Sequence, residues 1–103
     1  MRIHNNATAF YDEETAQLTV DYALANMTNA DKKRLQAMEA NPMSGQQLVL
    51  TGTMNADIGH RFKYDKATGT TTYVAATRTY EIRIAVDVNT GEPYIITAYP
   101  TLP

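Results

Sequence analysis

The segment Asn41-Pro42-Met43-Ser44-Gly45 divides the chain into two halves of different character. A proline preceded by asparagine ends a helix, and the serine and glycine that follow favour a turn. Residues 1–41 carry helical patterns, whereas residues 46–100 carry short segments rich in β-branched and aromatic residues. The 103 residues have the length of one domain. We therefore predict one α+β domain over residues 1–103, with N-terminal helices packed on a C-terminal antiparallel meander of four or five strands.

A first helix is predicted after Asp12, a residue type that caps helices. Its apolar residues recur at helical spacing, as Ala16, Val20, Ala23, Leu24 and Met27. The same stretch also alternates as a strand does. A hairpin of Ala7 to Tyr11 with Ala16 to Tyr22 is therefore an alternative for this region.

A second helix is predicted over residues 30–40, a run of good helix formers. Asn29 is its expected N-cap, and the Asn-Pro step at residue 41 ends it. Leu35 and Met38 are expected to face the core.

Five strands are predicted in the second half, because short apolar and β-branched runs alternate there with turn residues. The expected strands are Gln47 to Met54, Gly59 to Asp65, Thr70 to Thr77, Tyr80 to Asp87 and Pro93 to Tyr99. The core is expected to contain Ile82, Ile84, Val86, Ile96 and either Leu48 or Val49.

The last two strands allow a prediction of register. Asn89, Thr90 and Gly91 suit a three-residue hairpin loop, in which glycine adopts positive φ. The core face then pairs Val86 with Tyr94, Ile84 with Ile96 and Ile82 with Ala98. The other face pairs Arg83 with Thr97, Glu81 with Tyr99 and Ala85 with Ile95. An acid, a base, a hydroxyl and a phenol are thus predicted to gather on one open surface.

Composition excludes several kinds of site. The chain has no cysteine, which excludes disulfides, thiolate zinc sites and cysteine nucleophiles, and it has only two histidines. It contains no phosphate-binding glycine loop, HExxH helix or GxSxG motif. A net charge of −2 argues against a wholly cationic surface, although the charged residues between His60 and Val86 are five basic and two acidic. No segment is long and apolar enough to cross a bilayer, so we expect a soluble protein without a membrane partner.

The polar residues of the strands suit RNA cleavage without a metal. That reaction needs a base for the 2′-hydroxyl proton, an acid for the leaving oxygen and cations for the phosphorane charge. Glu81 is the candidate base, His60 is a candidate acid or base, and Thr97 and Tyr99 can donate to phosphate oxygens. The candidate phosphate-binding cations are Arg61, Lys63, Arg78 and Arg83. Alternation places His60 on the face of Phe62 and Tyr64, opposite Arg61 and Lys63, where it is equally suited to a structural role.

Three segments resemble a known family. They are Gly59-His60-Arg61, then Ala76-Thr77-Arg78-Thr79-Tyr80-Glu81-Ile82, then Val86-Asp87-Val88-Asn89-Thr90-Gly91 leading to Ile95-Ile96-Thr97-Ala98-Tyr99-Pro100. Together they resemble the C-terminal part of barnase/EndoU/colicin/RelE-type ribonuclease toxins, which occur in contact-dependent inhibition and other polymorphic toxin systems.

This resemblance implies helices packed on a curved antiparallel sheet, with the RNA site on the concave face. It implies catalytic or phosphate-binding roles for His60, Arg78, Thr97 and Tyr99, an RNA substrate, an immunity protein or antitoxin as partner, and no cofactor. Such an enzyme is expected to act in the cytoplasm.

Two other classes of function remain open at the level of sequence. One is a noncatalytic interaction module, such as a phage- or plasmid-encoded inhibitor that docks through its open sheet and acidic first helix. The other is a structural subunit that assembles through edge strands at Gln47 to Met54 and Pro93 to Tyr99.

Overall fold

The structure, a computed structural model, describes residues 6–101. Residues 1–5 and 102–103 of the predicted domain lie outside this range. The described part contains β1 (Asn6–Phe10), α1 (Glu13–Ala25), α2 (Asn29–Ala40), β2 (Leu48–Thr53), β3 (Gly59–Asp65), β4 (Thr70–Thr77), β5 (Thr79–Val86) and β6 (Pro93–Pro100). Helices followed by antiparallel strands confirm the predicted α+β class, and each predicted strand lies within one residue of its observed bounds.

The strands form two antiparallel sheets of three strands each. One sheet has the order β1-β3-β4 and the other has the order β2-β5-β6. The first strand, β1, was not among the five predicted strands, and it pairs with β3 along its whole length. The meander is therefore shared between two sheets, and β2 and β6 are the edges of the second.

Two of the three changes of sheet along the chain, from β2 to β3 and from β4 to β5, occur at one place in the fold, around Arg78. β4 ends at Thr77 and β5 starts at Thr79, so Arg78 alone separates them. In the loop between β2 and β3, the N–H of Met54 donates to the Arg78 carbonyl at 2.8 Å and the N–H of Ile58 donates to the Thr77 carbonyl at 2.9 Å. The loop between β2 and β3 thus lies beside the junction between β4 and β5 and is hydrogen-bonded to it.

Hydroxyl groups hold this junction to the end of β6. The side-chain hydroxyls of Thr77 and Thr79 donate to the Thr101 carbonyl at 2.7 and 3.2 Å. The Thr101 N–H donates to the Thr79 carbonyl at 2.9 Å. Because Thr77 is 2% exposed, these bonds satisfy polar groups that water does not reach.

The first helix forms where the sequence predicted it, and the hairpin alternative is wrong. The Asp12 carboxylate accepts a hydrogen bond from the N–H of Thr15 at 2.7 Å, which caps the helix. Hydrogen bonding by the Thr15 side chain, and then by this N–H, holds the pKa of Asp12 below its ordinary value. Thr19 and Ala23 are buried, and Ala23 packs in the hydrophobic core. Local capping therefore decides between the two periodicities of this stretch.

The second helix begins one residue earlier than predicted. Its N-cap is Thr28 and not Asn29, because the Thr28 hydroxyl accepts from the N–H of Asp31 while the Asp31 carboxylate accepts from the N–H of Thr28. This reciprocal arrangement is a capping box, and it satisfies two backbone donors that a lone Asn29 would leave unpaired.

Replacing Thr28 by alanine should lower the free energy of unfolding by about 1 kcal/mol, the usual cost of losing an N-cap. Urea unfolding monitored by circular dichroism would measure the change. Asn29→Ala is the matched control, and it should have the smaller effect because Asn29 is the first residue inside the helix. A larger loss for Asn29→Ala would contradict the observed cap.

The core lies between the two helices and the inner face of the β2-β5-β6 sheet. Its buried members are Ala23, Met38, Leu48, Leu50, Ile58, Tyr80, Ile82, Ile84 and Val86. Leu48 is the β2 residue that enters it at 3% exposure, whereas Val49 is 41% exposed on the other face. Met38 is buried and Leu35 packs partly against the core, as predicted.

The predicted register of the last hairpin is correct at one end only. The confirmed pairs are Glu81 with Tyr99, Ile82 with Ala98 and Arg83 with Thr97. Nearer the turn the partners differ by one residue, and the observed pairs are Ile84 with Ile95, Ala85 with Tyr94 and Val86 with Pro93.

The Asp87 carboxylate explains the difference, because it builds a longer turn. It accepts from the N–H groups of Asn89 and Thr90 at 2.7 and 3.0 Å, and these donors hold the pKa of Asp87 below its ordinary value. The N–H of Asp87 donates to the Glu92 carbonyl at 2.9 Å. The loop therefore covers residues 88–91 and is one residue longer than predicted.

A β-bulge in β6 absorbs the extra residue. Ile96 has no partner on β5, and beyond it the strands return to the predicted register. The placement of Ile96 and Tyr94 in the core is therefore wrong, since they are 42% and 52% exposed. Gly91 keeps its predicted positive φ, at 73°.

Candidate active site

Glu81 and Arg83 of β5 project from the face of the second sheet that the helices do not cover. Ile82 and Ile84 alternate with them and are buried in the core. Tyr99 and Thr97 lie opposite the two charged residues on β6, and Val49 and Thr51 lie opposite them on β2. The period of two along β5 thus separates a hydrophobic face from a polar one.

A single carboxylate oxygen organises this polar face. Glu81 Oε2 accepts a hydrogen bond from Arg83 Nε at 3.0 Å and another from the Tyr99 hydroxyl. Arg83 Nη1 also donates to the Gln47 side-chain oxygen at 3.3 Å. We call Gln47, Glu81, Arg83 and Tyr99 the carboxylate cluster. The Glu81 side chain is 19% exposed and that of Arg83 is 40% exposed, so the ion pair is fixed but within reach of a ligand.

A second guanidinium approaches the carboxylate cluster from α2. Arg34 Nη2 donates to the Gln47 backbone carbonyl at 3.4 Å. The sequence pattern gave no functional role to Arg34 or Gln47. Only the packing of α2 beside the start of β2 brings them together, and no local pattern predicts that contact.

His60 lies on the other sheet, at the start of β3. Its ring contacts those of Phe62, Tyr11 and Tyr73, with centroid separations of 4.6, 5.0 and 5.5 Å. Phe62 shares its face, as the alternation along β3 predicted. Among the described contacts of residues 6–101, none joins His60 to Glu81, Arg83 or Tyr99.

The other predicted cations also lie outside the carboxylate cluster. Arg78, at the crossing between the sheets, pairs with Asp57 at 3.1 Å, and both side chains are about half exposed. Arg61 and Lys63 alternate with His60 on β3 and belong to its opposite face. Arg61 Nε is buried without a hydrogen-bond partner among the described residues. Of the predicted site residues, the structure therefore brings together Glu81, Arg83, Thr97 and Tyr99.

The described residues contain neither a metal-binding group of side chains nor a membrane-spanning helix. Between residues 6 and 101, no group of three histidine, aspartate or glutamate side chains is placed to hold a metal ion. Neither α1 nor α2 has the length and apolar character needed to span a membrane.

A solved structure shares the fold of this chain. The solved structure is described as a complex of CdiA-CT and CdiI from Y. kristensenii. The match covers 99% of this chain and 82% of the matching chain in that complex, with a TM-score of 0.64. The identity is 20%, so the match shows a shared fold. No curated protein is similar to this chain.

A family model matches almost the whole chain. The matching family is described as the bacterial CdiA-CT RNAse A domain, and the match covers residues 2–100. It confirms the resemblance to ribonuclease toxins of contact-dependent inhibition systems, and it disfavours the noncatalytic interaction module. The chain therefore belongs to the bacterial CdiA-CT RNAse A domain family, as a ribonuclease toxin domain.

Proposed function

We propose that this chain cleaves RNA by metal-independent transesterification at the open face of the β2-β5-β6 sheet. The observation that supports this proposal is the Glu81 carboxylate, which Arg83 and Tyr99 hold in one orientation on an accessible surface. A fixed carboxylate beside a guanidinium and two hydroxyl groups combines proton transfer with charge stabilisation. Membership of the ribonuclease family supports RNA as the substrate.

The carboxylate cluster suggests a role for each side chain. Glu81 takes the proton of the 2′-hydroxyl, the 2′-oxygen forms a bond to phosphorus, and the bond from phosphorus to the 5′-oxygen breaks. Arg83 and the hydroxyls of Thr97 and Tyr99 stabilise the charge on the phosphorane oxygens. The departing 5′-oxygen takes a proton from solvent, because His60, the acid that the sequence predicted, lies on the other sheet. The products are a 2′,3′-cyclic phosphate and a 5′-hydroxyl.

The nature of the products tests this mechanism. Purified protein should cleave RNA in the presence of EDTA and leave cyclic or 3′-phosphate ends, since the attacking group is the 2′-hydroxyl. Mass spectrometry of the fragments would identify the ends, and RNA with 2′-O-methyl groups is the matched control that should resist cleavage. Activity that depends on added Mg²⁺, or fragments with 5′-phosphate ends, would contradict the proposal.

We also propose that an immunity protein neutralises this toxin by covering the carboxylate cluster. The solved relative is in a complex of CdiA-CT with CdiI, and the polar face of the second sheet is open to a partner here. A cognate immunity protein should therefore abolish RNA cleavage and protect Arg83 from chemical modification. Inhibition without protection of Arg83 would place the partner elsewhere.

A further inference from the structure

Four aromatic rings pack together on the β1-β3-β4 sheet, apart from the hydrophobic core. His60 is central, and the rings around it are Tyr11, Phe62 and Tyr73. The ring planes are steeply inclined to one another, at 69°, 77° and 82° to that of His60. Edge-to-face contacts of this kind hold each ring in a defined orientation. We call these four residues the aromatic cluster.

Two of the rings remain open to solvent. Tyr11 is 45% exposed and Tyr73 is 54% exposed, although both have aromatic neighbours. Large exposed aromatic surface on a rigid sheet is costly in water and is a frequent sign of a binding surface. The aromatic cluster can therefore receive a flat ligand against rings whose positions are already fixed.

The hairpin that carries His60, Phe62 and Tyr73 has an excess of positive charge. Residues 60–78, which run from β3 through β4 to Arg78, contain four basic residues and one acidic residue, although the whole chain has a net charge of −2. Arg61 and Lys63 lie on the opposite face of β3 from the aromatic cluster. Arg78 extends beside Asp57 at the end of this segment with its side chain 56% exposed. A local positive excess in an acidic chain provides attraction for phosphate groups where it is concentrated.

The exposed Tyr11 ring does not oppose that attraction. Desolvation, followed by the nearby Asp57 carboxylate and the Tyr73 phenol, raises the pKa of Tyr11 above its ordinary value. The Tyr11 phenol is therefore neutral at physiological pH. A neutral ring on a sheet that carries basic residues suits an unpaired base, because the base stacks on the ring through its π face.

We propose that the aromatic cluster is a stacking site for an unpaired RNA base, separate from the carboxylate cluster where the chain is cut. This inference rests on the proposed function, since it names the substrate as RNA with at least one unpaired base. Stacking of this kind is tolerant of base identity, because every base has a π face. The aromatic cluster thus selects single-stranded RNA over duplex RNA without selecting a sequence.

Binding of a short single-stranded RNA in a Glu81→Gln background would test the stacking site, because that background should bind RNA without cutting it. Fluorescence anisotropy should show that Tyr73→Ala and Tyr11→Ala each weaken binding by about 5- to 150-fold, the usual contribution of one stacked base. Tyr73→Phe keeps the ring and should bind like the Glu81→Gln parent. Tyr94→Ala is the matched control, since Tyr94 is 52% exposed on the other sheet.

An abasic oligonucleotide separates stacking from attraction to phosphate. The alanine variants should bind it as the parent does, because no base is present to stack. Equal binding of normal RNA by parent and alanine variants would overturn the stacking site, as would an equal loss on abasic RNA. The stacking site would also be overturned if the alanine variants lost binding to the immunity protein but kept binding to RNA. The aromatic cluster would then be a protein interface. Failure of the proposed function would differ from all of these, since the wild-type chain would then not cleave RNA in EDTA.

Discussion

Replacing Glu81 by glutamine should lower the rate of RNA cleavage by about 10²- to 10⁴-fold, the range expected for loss of a general base. Glutamine has the same shape and keeps an oxygen that can accept from Arg83 and Tyr99. It cannot take the 2′-hydroxyl proton. The change therefore removes basicity while it preserves most of the hydrogen bonding of the carboxylate cluster. Single-turnover cleavage of a labelled RNA would measure the chemical step separately from binding.

Glu92→Gln is the matched control for this variant, because Glu92 is an exposed carboxylate in the last hairpin, away from the carboxylate cluster. It should cleave RNA at the wild-type rate. If Glu81→Gln lost less than about 10-fold, Glu81 would be a structural anchor for Arg83 and not the base. Arg83→Ala should also slow cleavage, because the phosphorane charge would lose its nearest guanidinium.

His60→Ala in the same assay decides the role of the histidine. A loss on the scale of Glu81→Gln would support the predicted proton transfer. A loss confined to RNA affinity would instead assign the His60 ring to the aromatic cluster alone. The two results differ in whether the single-turnover rate at saturating RNA falls.

Truncation of Ile84 to alanine should lower the free energy of unfolding by about 2–5 kcal/mol, because it leaves a cavity in a closely packed core. Ile84 is 2% exposed between the helices and the second sheet. Chemical unfolding with urea or guanidinium would measure the loss. A midpoint shift with an unchanged slope would show that stability changed and the unfolded state did not.

Ile96→Ala is the matched control, because Ile96 lies on the neighbouring strand and was predicted to be the partner of Ile84. Its exposure of 42% predicts a loss well below that of Ile84→Ala. Equal losses would mean that the β-bulge does not exist and that the regular register is correct.

The polar face of the second sheet was predictable from sequence because two errors in the last hairpin cancel. The turn was predicted one residue too short, since the side-chain hydrogen bonds of Asp87 are not visible in a pattern of apolar residues. The bulge at Ile96 then restores the register before Arg83 is reached. Alternation along β5 therefore gave the correct neighbours for Glu81 and Arg83, although the turn was wrong.

Long-range contacts were not predictable in this way. The pairing of β1 with β3 joins segments about fifty residues apart, and β1 is too short to have a strong pattern of its own. Arg34 reaches the Gln47 carbonyl beside the carboxylate cluster only through the packing of α2 against β2. Periodicity identifies which face of an element is buried, but it does not identify which other element covers that face.

The crossing at Arg78 has a consequence for where an RNA chain would be cut. One residue separates the strand that carries part of the aromatic cluster from the strand that carries Glu81, and the hydroxyls of Thr77 and Thr79 tie this junction to Thr101. The short junction and its hydrogen bonds restrict movement between the two sheets. The distance between the aromatic cluster and the carboxylate cluster is thus fixed. An RNA with a base stacked on the aromatic cluster would place the same phosphate, counted from that base, at the carboxylate cluster. Fragments should then end a constant number of nucleotides from the stacked base.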